Sequence, residues 1–125
     1  MEKKSVLLIE DDSLSADAIS RELKSLNVEV ARLDSGENAV DTIINSNPSA
    51  VILDVMLVGK TGLEIVEELK VKSPASLKKI IIMTSLGNNE ILPQILEAGI
   101  TYFVHKSETS PERIVEIMRG ILQSH

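Results

Sequence analysis

Along this chain, short apolar runs alternate with longer stretches in which apolar residues recur every three or four positions. A continuous apolar run with β-branched members, bounded by turn signals, reads as a strand buried on both faces. The clearest is AVILD at Ala50–Asp54, closed off by Asn47-Pro48 before it and by Gly59 and Gly62 after it. SVLLI at Ser5–Ile9 and KIIIMT at 79–84 have the same form, and TYFVH at 101–105 is a further strand. VEVARL at 28–33 alternates apolar and polar residues in its first half, which suits an edge strand half in water.

The stretches between these strands carry the helical period. Residues 13–26 place Ile19, Leu23 and Leu26 on one stripe, and Asn27 ends the segment. After the turn Asp34-Ser35-Gly36, residues 37–45 turn Ala39, Val40, Ile43 and Ile44 inward. Gly62–Lys72 carries Leu63, Val66 and Leu69 on one side, and Ser73-Pro74-Ala75-Ser76 reads as a loop. Residues 86–89 also read as a loop; residues 91–98 read as a helix ended by Gly99. Ser110-Pro111 starts the last helix, with Ser as N-cap and Pro at the first helical position. Ile114, Ile117, Met118, Ile121 and Leu122 give it a continuous apolar face. Five β-α units in strict alternation predict an α/β doubly wound fold. Its five-stranded sheet is parallel, with helices on both faces and right-handed crossovers.

Proline modifies the expectation for one helix. Pro93 lacks an N–H and disfavours a helical conformation at Leu92, and Asn88-Asn89 favour a turn. The helix within 86–99 is therefore expected to start late or to kink, with Pro93 in its first turn and a longer, mobile loop before it. Ile91, Leu92, Ile95 and Leu96 still require a buried face, so the segment should stay docked.

Composition narrows the class. At 125 residues the chain has the length of one domain, so residues 1–125 are read as a single unit with a single substantial core. A net charge of −6 argues against electrostatic binding to nucleic acid. The only aromatics, Tyr102 and Phe103, are adjacent and form no stacking platform for single strands. No stretch is apolar for long enough to span a bilayer, and the opening MEKKSVLLIEDD does not read as a signal peptide, because acids interrupt the apolar run after the first lysines. Without cysteine there is neither a disulfide nor a thiolate metal site, and a cytoplasmic location fits.

The candidate chemistry lies at the strand ends. Asp11 and Asp12 follow strand one, Asp54 ends strand three, Thr84 ends strand four and Lys106 follows strand five. Parallel strands bring all of them to one edge of the sheet, the edge where open α/β sheets bind ligands. Taken singly, an acidic pair after a strand is more often a helix cap, and a strand-end lysine a solvated charge. Their coincidence over four strand ends points to a site. Three neighbouring carboxylates repel one another unless a cation or a proton intervenes. Oxygen ligands without His or Cys favour Mg²⁺, which commonly bridges carboxylates to phosphate oxygens, and a lysine and a hydroxyl opposite it suit a phosphoryl group.

With LLIEDD, ILDVML, IIIMTS and FVHK in this order, the chain resembles a response-regulator receiver domain of two-component signalling over essentially its whole length. The resemblance implies a flavodoxin-like fold with strand order 2-1-3-4-5, an order that comes with the family and not from the apolar pattern. It implies that Asp54 is the phosphoacceptor, that Asp12 and Asp54 bind Mg²⁺ directly with the backbone carbonyl of Met56, and that Asp11 acts largely through metal-bound water. Thr84 and Lys106 would hold the phosphoryl oxygens, and Phe103, three before Lys106, takes the switch-aromatic position; an ordinary core residue is the plainer reading of Phe103. The partner implied is a histidine kinase or a histidine phosphotransfer protein, with an unnamed protein target downstream. The chain would then be no enzyme in the ordinary sense, but a phosphoacceptor that assists its own phosphotransfer and slow dephosphorylation. Phosphorylation would change the surface of the fourth helix, fifth strand and fifth helix.

Some positions depart from the family. Ser107 replaces the proline that usually follows the lysine in a cis peptide, so this bond is expected to be trans. Leu57-Val58 stands for Met-Pro, and Ser85 for Ala or Gly. These, with Pro93, motivate an alternative: a receiver-like interaction module that works without phosphorylation. A flavin-binding flavodoxin is disfavoured, because the acids after strand one repel a flavin phosphate.

Overall fold

The computed structural model describes residues 3–85 and 90–124. Five parallel strands form one sheet in the order β2-β1-β3-β4-β5: β1 (Ser5–Ile9), β2 (Glu29–Leu33), β3 (Ala50–Asp54), β4 (Ile80–Thr84) and β5 (Tyr102–His105). The helices between them are α1 (Ser13–Leu23), α2 (Ala39–Ser46), α3 (Gly62–Lys72), α4 (Leu92–Ala98) and α5 (Pro111–Ser124). All residues of β3 and β4 are buried, as their unbroken apolar runs demand, whereas edge strand β2 has none fully buried.

The two-residue alternation of the strands divides the core. Val6, Leu8, Ala50, Ile52, Ile81 and Met83 pack on one face against Ala16, Ile19 and Leu23 of α1 and Ile114, Val115, Met118, Ile121 and Leu122 of α5. Leu7, Ile9, Val51, Leu53, Ile80 and Ile82 pack on the other against Ala39, Val40 and Ile43 of α2, Ile65, Val66 and Leu69 of α3, and Ile95 of α4. Right-handed crossovers from a central strand outward in both directions put the helices on opposite faces in this way.

Several element ends differ from the periodic reading, each for a local reason. The first helix leaves α geometry at Leu23, because Lys24–Leu26 tighten into a 3-10 turn before Asn27 adopts a left-handed conformation (φ 54°). α2 starts at Ala39, not 37, and Ile44 is exposed rather than inward, since Ala39, Val40 and Ile43 already fill the sheet-facing stripe. The segment after α3 is a second 3-10 helix, Pro74–Lys79, and not open loop; Leu77 within it is buried. α4 starts late, at Leu92, with Pro93 in its first turn, where a missing N–H costs nothing. Of its four expected apolar contacts, Ile95 alone is fully buried, Ile91 packs partly and Leu96 is exposed. The loop expected before it falls on residues 86–89, outside the described residues. Ser110 caps α5 as expected, accepting from the Arg113 N–H at 3.2 Å, and among the described residues no peptide is cis, that before Ser107 included.

α3 is held close to the end of β3. Thr61 and Glu64 form a capping box, and the Gly62 N–H donates to the Val55 carbonyl at 3.0 Å. A Cβ at Gly62 would lie 2.6 Å from Val55 Cα and 2.9 Å from the Asp54 carbonyl oxygen, whereas one at Gly120 in α5 would meet nothing. Gly62→Ala is therefore expected to cost about 1–3 kcal/mol as overpacking against backbone. Gly120→Ala should gain about 0.5–1 kcal/mol from helix propensity. Urea unfolding of both variants checks the pair, and equal effects at the two sites would contradict this packing.

Candidate functional site

The carboxyl ends of β1, β3, β4 and β5 converge as the alternation predicts. Leu8 pairs with Ile52, so two residues further on Glu10 stands beside Asp54 on the α1/α5 face. Both are buried, Glu10 to 0% exposure and Asp54 to 2%. Lys106 reaches them from the end of β5: its Nζ lies 2.8 Å from Glu10 Oε1 and 3.0 Å from Asp54 Oδ2. The Met56 N–H donates to Asp54 Oδ1 at 2.9 Å, and the Asp12 N–H donates to Glu10 Oε1 at 3.0 Å. Arg32 of β2 grips the Glu10 carbonyl with Nε and Nη2 at 3.1 and 2.9 Å, fixing the turn out of β1.

These contacts set the charge state. Burial pushes the Glu10 carboxyl up to about 7, against the pull of Lys106 and the Asp12 amide, and Asp54 adds to the rise. Burial opposes the charge on Lys106, yet its bonds to Glu10 and Asp54 hold its pKa above the ordinary value. The site is thus a fixed lysine cation between two carboxyl groups.

Carboxylate oxygens of Glu10, Asp11 and Asp54 all lie within 4.8 Å of one another. Glu10 Oε2 is buried with no hydrogen-bond partner among the described residues. The cluster offers an all-oxygen donor set, with one buried carboxyl oxygen not engaged by the described residues, and that chemistry fits Mg²⁺. The structure does not bring Asp12 into this group. Asp12 is the N-cap of α1, with Oδ1 accepting from the Leu14 N–H at 3.2 Å, so its carboxylate is committed to the helix end. Glu10 takes the place read for it. Three acids in a row do not by themselves say which two belong to the site, but counting by twos from Leu8 would have found Glu10. Met56 is in reach of Asp54 through its amide, while its side chain points to water.

Thr84 and Phe103 stand at the same edge but on the other face. Thr84 is buried; its hydroxyl lies 3.5 Å from the Val104 carbonyl and 3.3 Å from His105 Nδ1, both on β5. Its carbonyl accepts the Lys106 N–H at 2.7 Å. Phe103 is not an ordinary core residue: it is 36% exposed, with its ring edge-on to His105 at 6.4 Å and 83°. Among the described residues, no helix is long and apolar enough to cross a membrane.

Comparison with known proteins agrees with this architecture. Over 112 residues the chain is 32% identical to the transcriptional regulatory protein RstA of Escherichia coli, covering 88% of the chain and 44% of that protein. Over 101 residues it is 33% identical to a cyclic di-GMP phosphodiesterase of Thermotoga maritima, covering 81% of the chain and 26% of that protein. The chain thus spans less than half the length of these curated relatives. The BeF3-activated N-terminal receiver domain of Klebsiella pneumoniae RstA superimposes with a TM-score of 0.80 at 26% identity, over 96% of this chain and 99% of that one. The family model of the response regulator receiver domain matches residues 6–119. The chain belongs to the response regulator receiver domain family.

Proposed function

We propose that residues 1–125 act as one phosphoryl-accepting receiver unit in two-component or phosphorelay signalling, with Asp54 as the phosphoacceptor. The observation that supports it most is the placement of Asp54 at the tip of a central strand, between an oxygen donor set and a fixed lysine. The Met56 amide and Lys106 each hold one oxygen of the Asp54 carboxylate and so fix its plane. A lone pair on that carboxylate attacks the phosphorus of a phosphohistidine in line. The new O–P bond forms as the P–N bond breaks, and the imidazole leaves with the electron pair. Glu10, Asp11 and Asp54, with the Met56 carbonyl, would hold Mg²⁺, which when bound supplies positive charge to the phosphoryl oxygens. Lys106 turns from Glu10 to those same oxygens. Slow attack by water later returns the carboxylate and releases phosphate.

The donor is a histidine kinase or histidine phosphotransfer protein, consistent with a cytoplasmic setting. Thr84 turns to the phosphoryl group, Phe103 follows, and the surface of α4, β5 and α5 changes for a downstream partner.

Two outcomes test this reading. Incubation with Mg²⁺ and acetyl phosphate should add one phosphoryl group by mass spectrometry, and Asp54→Asn should abolish it; label persisting on that variant would refute the assignment. Lys106→Ala should bind Mg²⁺ as tightly as the parent or tighter, because the lysine competes with the metal for Glu10 and Asp54, yet lose its response to beryllofluoride. Abolished Mg²⁺ affinity in a folded Lys106→Ala protein would contradict this role.

A further inference from the structure

We propose that His105 is a positioning residue for the phosphoacceptor reaction: its imidazole latches the Thr84 hydroxyl against β5, and that latch must open before Thr84 can serve a phosphoryl group on Asp54. This rests on the reading of Asp54 given above. Thr84 pairs directly with His105 in the β4–β5 register, so the two side chains leave the same face of the sheet. The Thr84 residue is 2% exposed, so its hydroxyl must find protein partners, and the two it has among the described residues are both on β5. A hydroxyl carries a single proton. Given to the Val104 carbonyl at 3.5 Å, it leaves the 3.3 Å contact to be made by a proton on His105 Nδ1.

Both contacts are long, beside about 2.7–2.8 Å for an O–H···O bond and about 2.9–3.0 Å for an N–H···O bond. A charge-assisted bond to a phosphoryl oxygen, about twice as strong as a neutral one, outcompetes them. The same imidazole meets the Phe103 ring edge-on, two residues back on the same face. His105 therefore touches both Thr84 and Phe103, and releasing Thr84 removes the constraint on the imidazole that the Phe103 ring packs against.

Phe103 is the only phenylalanine and His105 is one of two histidines, so single labels report on each. In the full chain carrying 4-fluorophenylalanine, beryllofluoride with Mg²⁺ is titrated against the one fluorine resonance. His105→Val keeps a strand-forming side chain and removes the latch, and should lower the midpoint about two- to tenfold, the worth of one neutral hydrogen bond. His105→Asn, whose amide can stand where Nδ1 stood, should stay near the parent. Equal midpoints in all three proteins, or an Asn variant that moves as far as Val, would overturn the latch. In unphosphorylated protein labelled with ¹⁵N-histidine, Thr84→Val should move the His105 Nδ1 resonance, and an unmoved resonance would also overturn it. A parent protein blind to beryllofluoride counts against Asp54 as acceptor; the imidazole spectrum then decides the latch by itself.

Discussion

Two buried carboxyl groups, Glu10 and Asp54, stand side by side at the ends of neighbouring central strands, and one side chain, Lys106, answers them both. Like charges this close and this dry cannot both persist without a cation, so the position of Lys106 is a constraint on the whole sheet edge. β4 separates β5 from β3, and β1 lies one strand further still. With neighbouring strands about 4.8 Å apart, only a long, flexible side chain crosses that distance to a carboxylate. The strand order is therefore part of the electrostatics: with β4 between β3 and β5, it sets the distance over which Lys106 must reach Asp54. Among the described residues, the remaining oxygen of Glu10 has no hydrogen-bond partner, so the one ammonium engages only one of that carboxyl's two oxygens.

The sheet's alternation separates the charged groups from the hydroxyl and rings at the ends of β4 and β5. The carboxylates project on the α1/α5 face, while Thr84, His105 and Phe103 belong to the opposite side. The two sets are joined through backbone: the Thr84 carbonyl takes the Lys106 N–H while its hydroxyl is held by β5. Main-chain displacement of β5 thus acts on the lysine's anchor and on the hydroxyl's partners together. Coupling of this kind needs no chain of intermediaries, because one residue, Thr84, contributes an atom to each side.

How much of this could be read from sequence follows from which patterns are one-dimensional. β1, β3 and α3 agree with their apolar runs and turn signals to the residue: burial of the strands on both faces leaves no freedom of period, and a capping box at Thr61 fixes the start of α3. The end of α1 is not legible, because passing from α to 3-10 geometry at Lys24–Leu26 changes no residue's polarity. Ile44 reads as core by composition and is exposed by helical phase. The placement of Asp54, Thr84 and Lys106 at one sheet edge follows from strand ends alone. Glu10 escapes notice because the acid run reads as a pair of aspartates, and because a buried glutamate is unexpected until its lysine, 96 residues away, is placed beside it. His105 looks like the last residue of an ordinary strand; only the β4–β5 register shows it opposite Thr84.

α4 shows the cost of a local departure being confined by context. Interior proline costs about 3 kcal/mol, but at the first turn that penalty disappears, so the chain shortens the helix rather than bending it. The result has seven residues and no side-chain cap at its start, and it closes on Gly99 at φ 114°. A helix of under two turns has no stability of its own, so its position is set by packing. That packing runs chiefly through Ile95, with Ile91 and Ala98 beside it, all against the face from which Thr84 projects. An element fastened by one fully buried side chain yields at lower cost than α5, which buries five. Of the two helices flanking β5, the sequence has therefore made the one that follows Thr84 the weaker attachment.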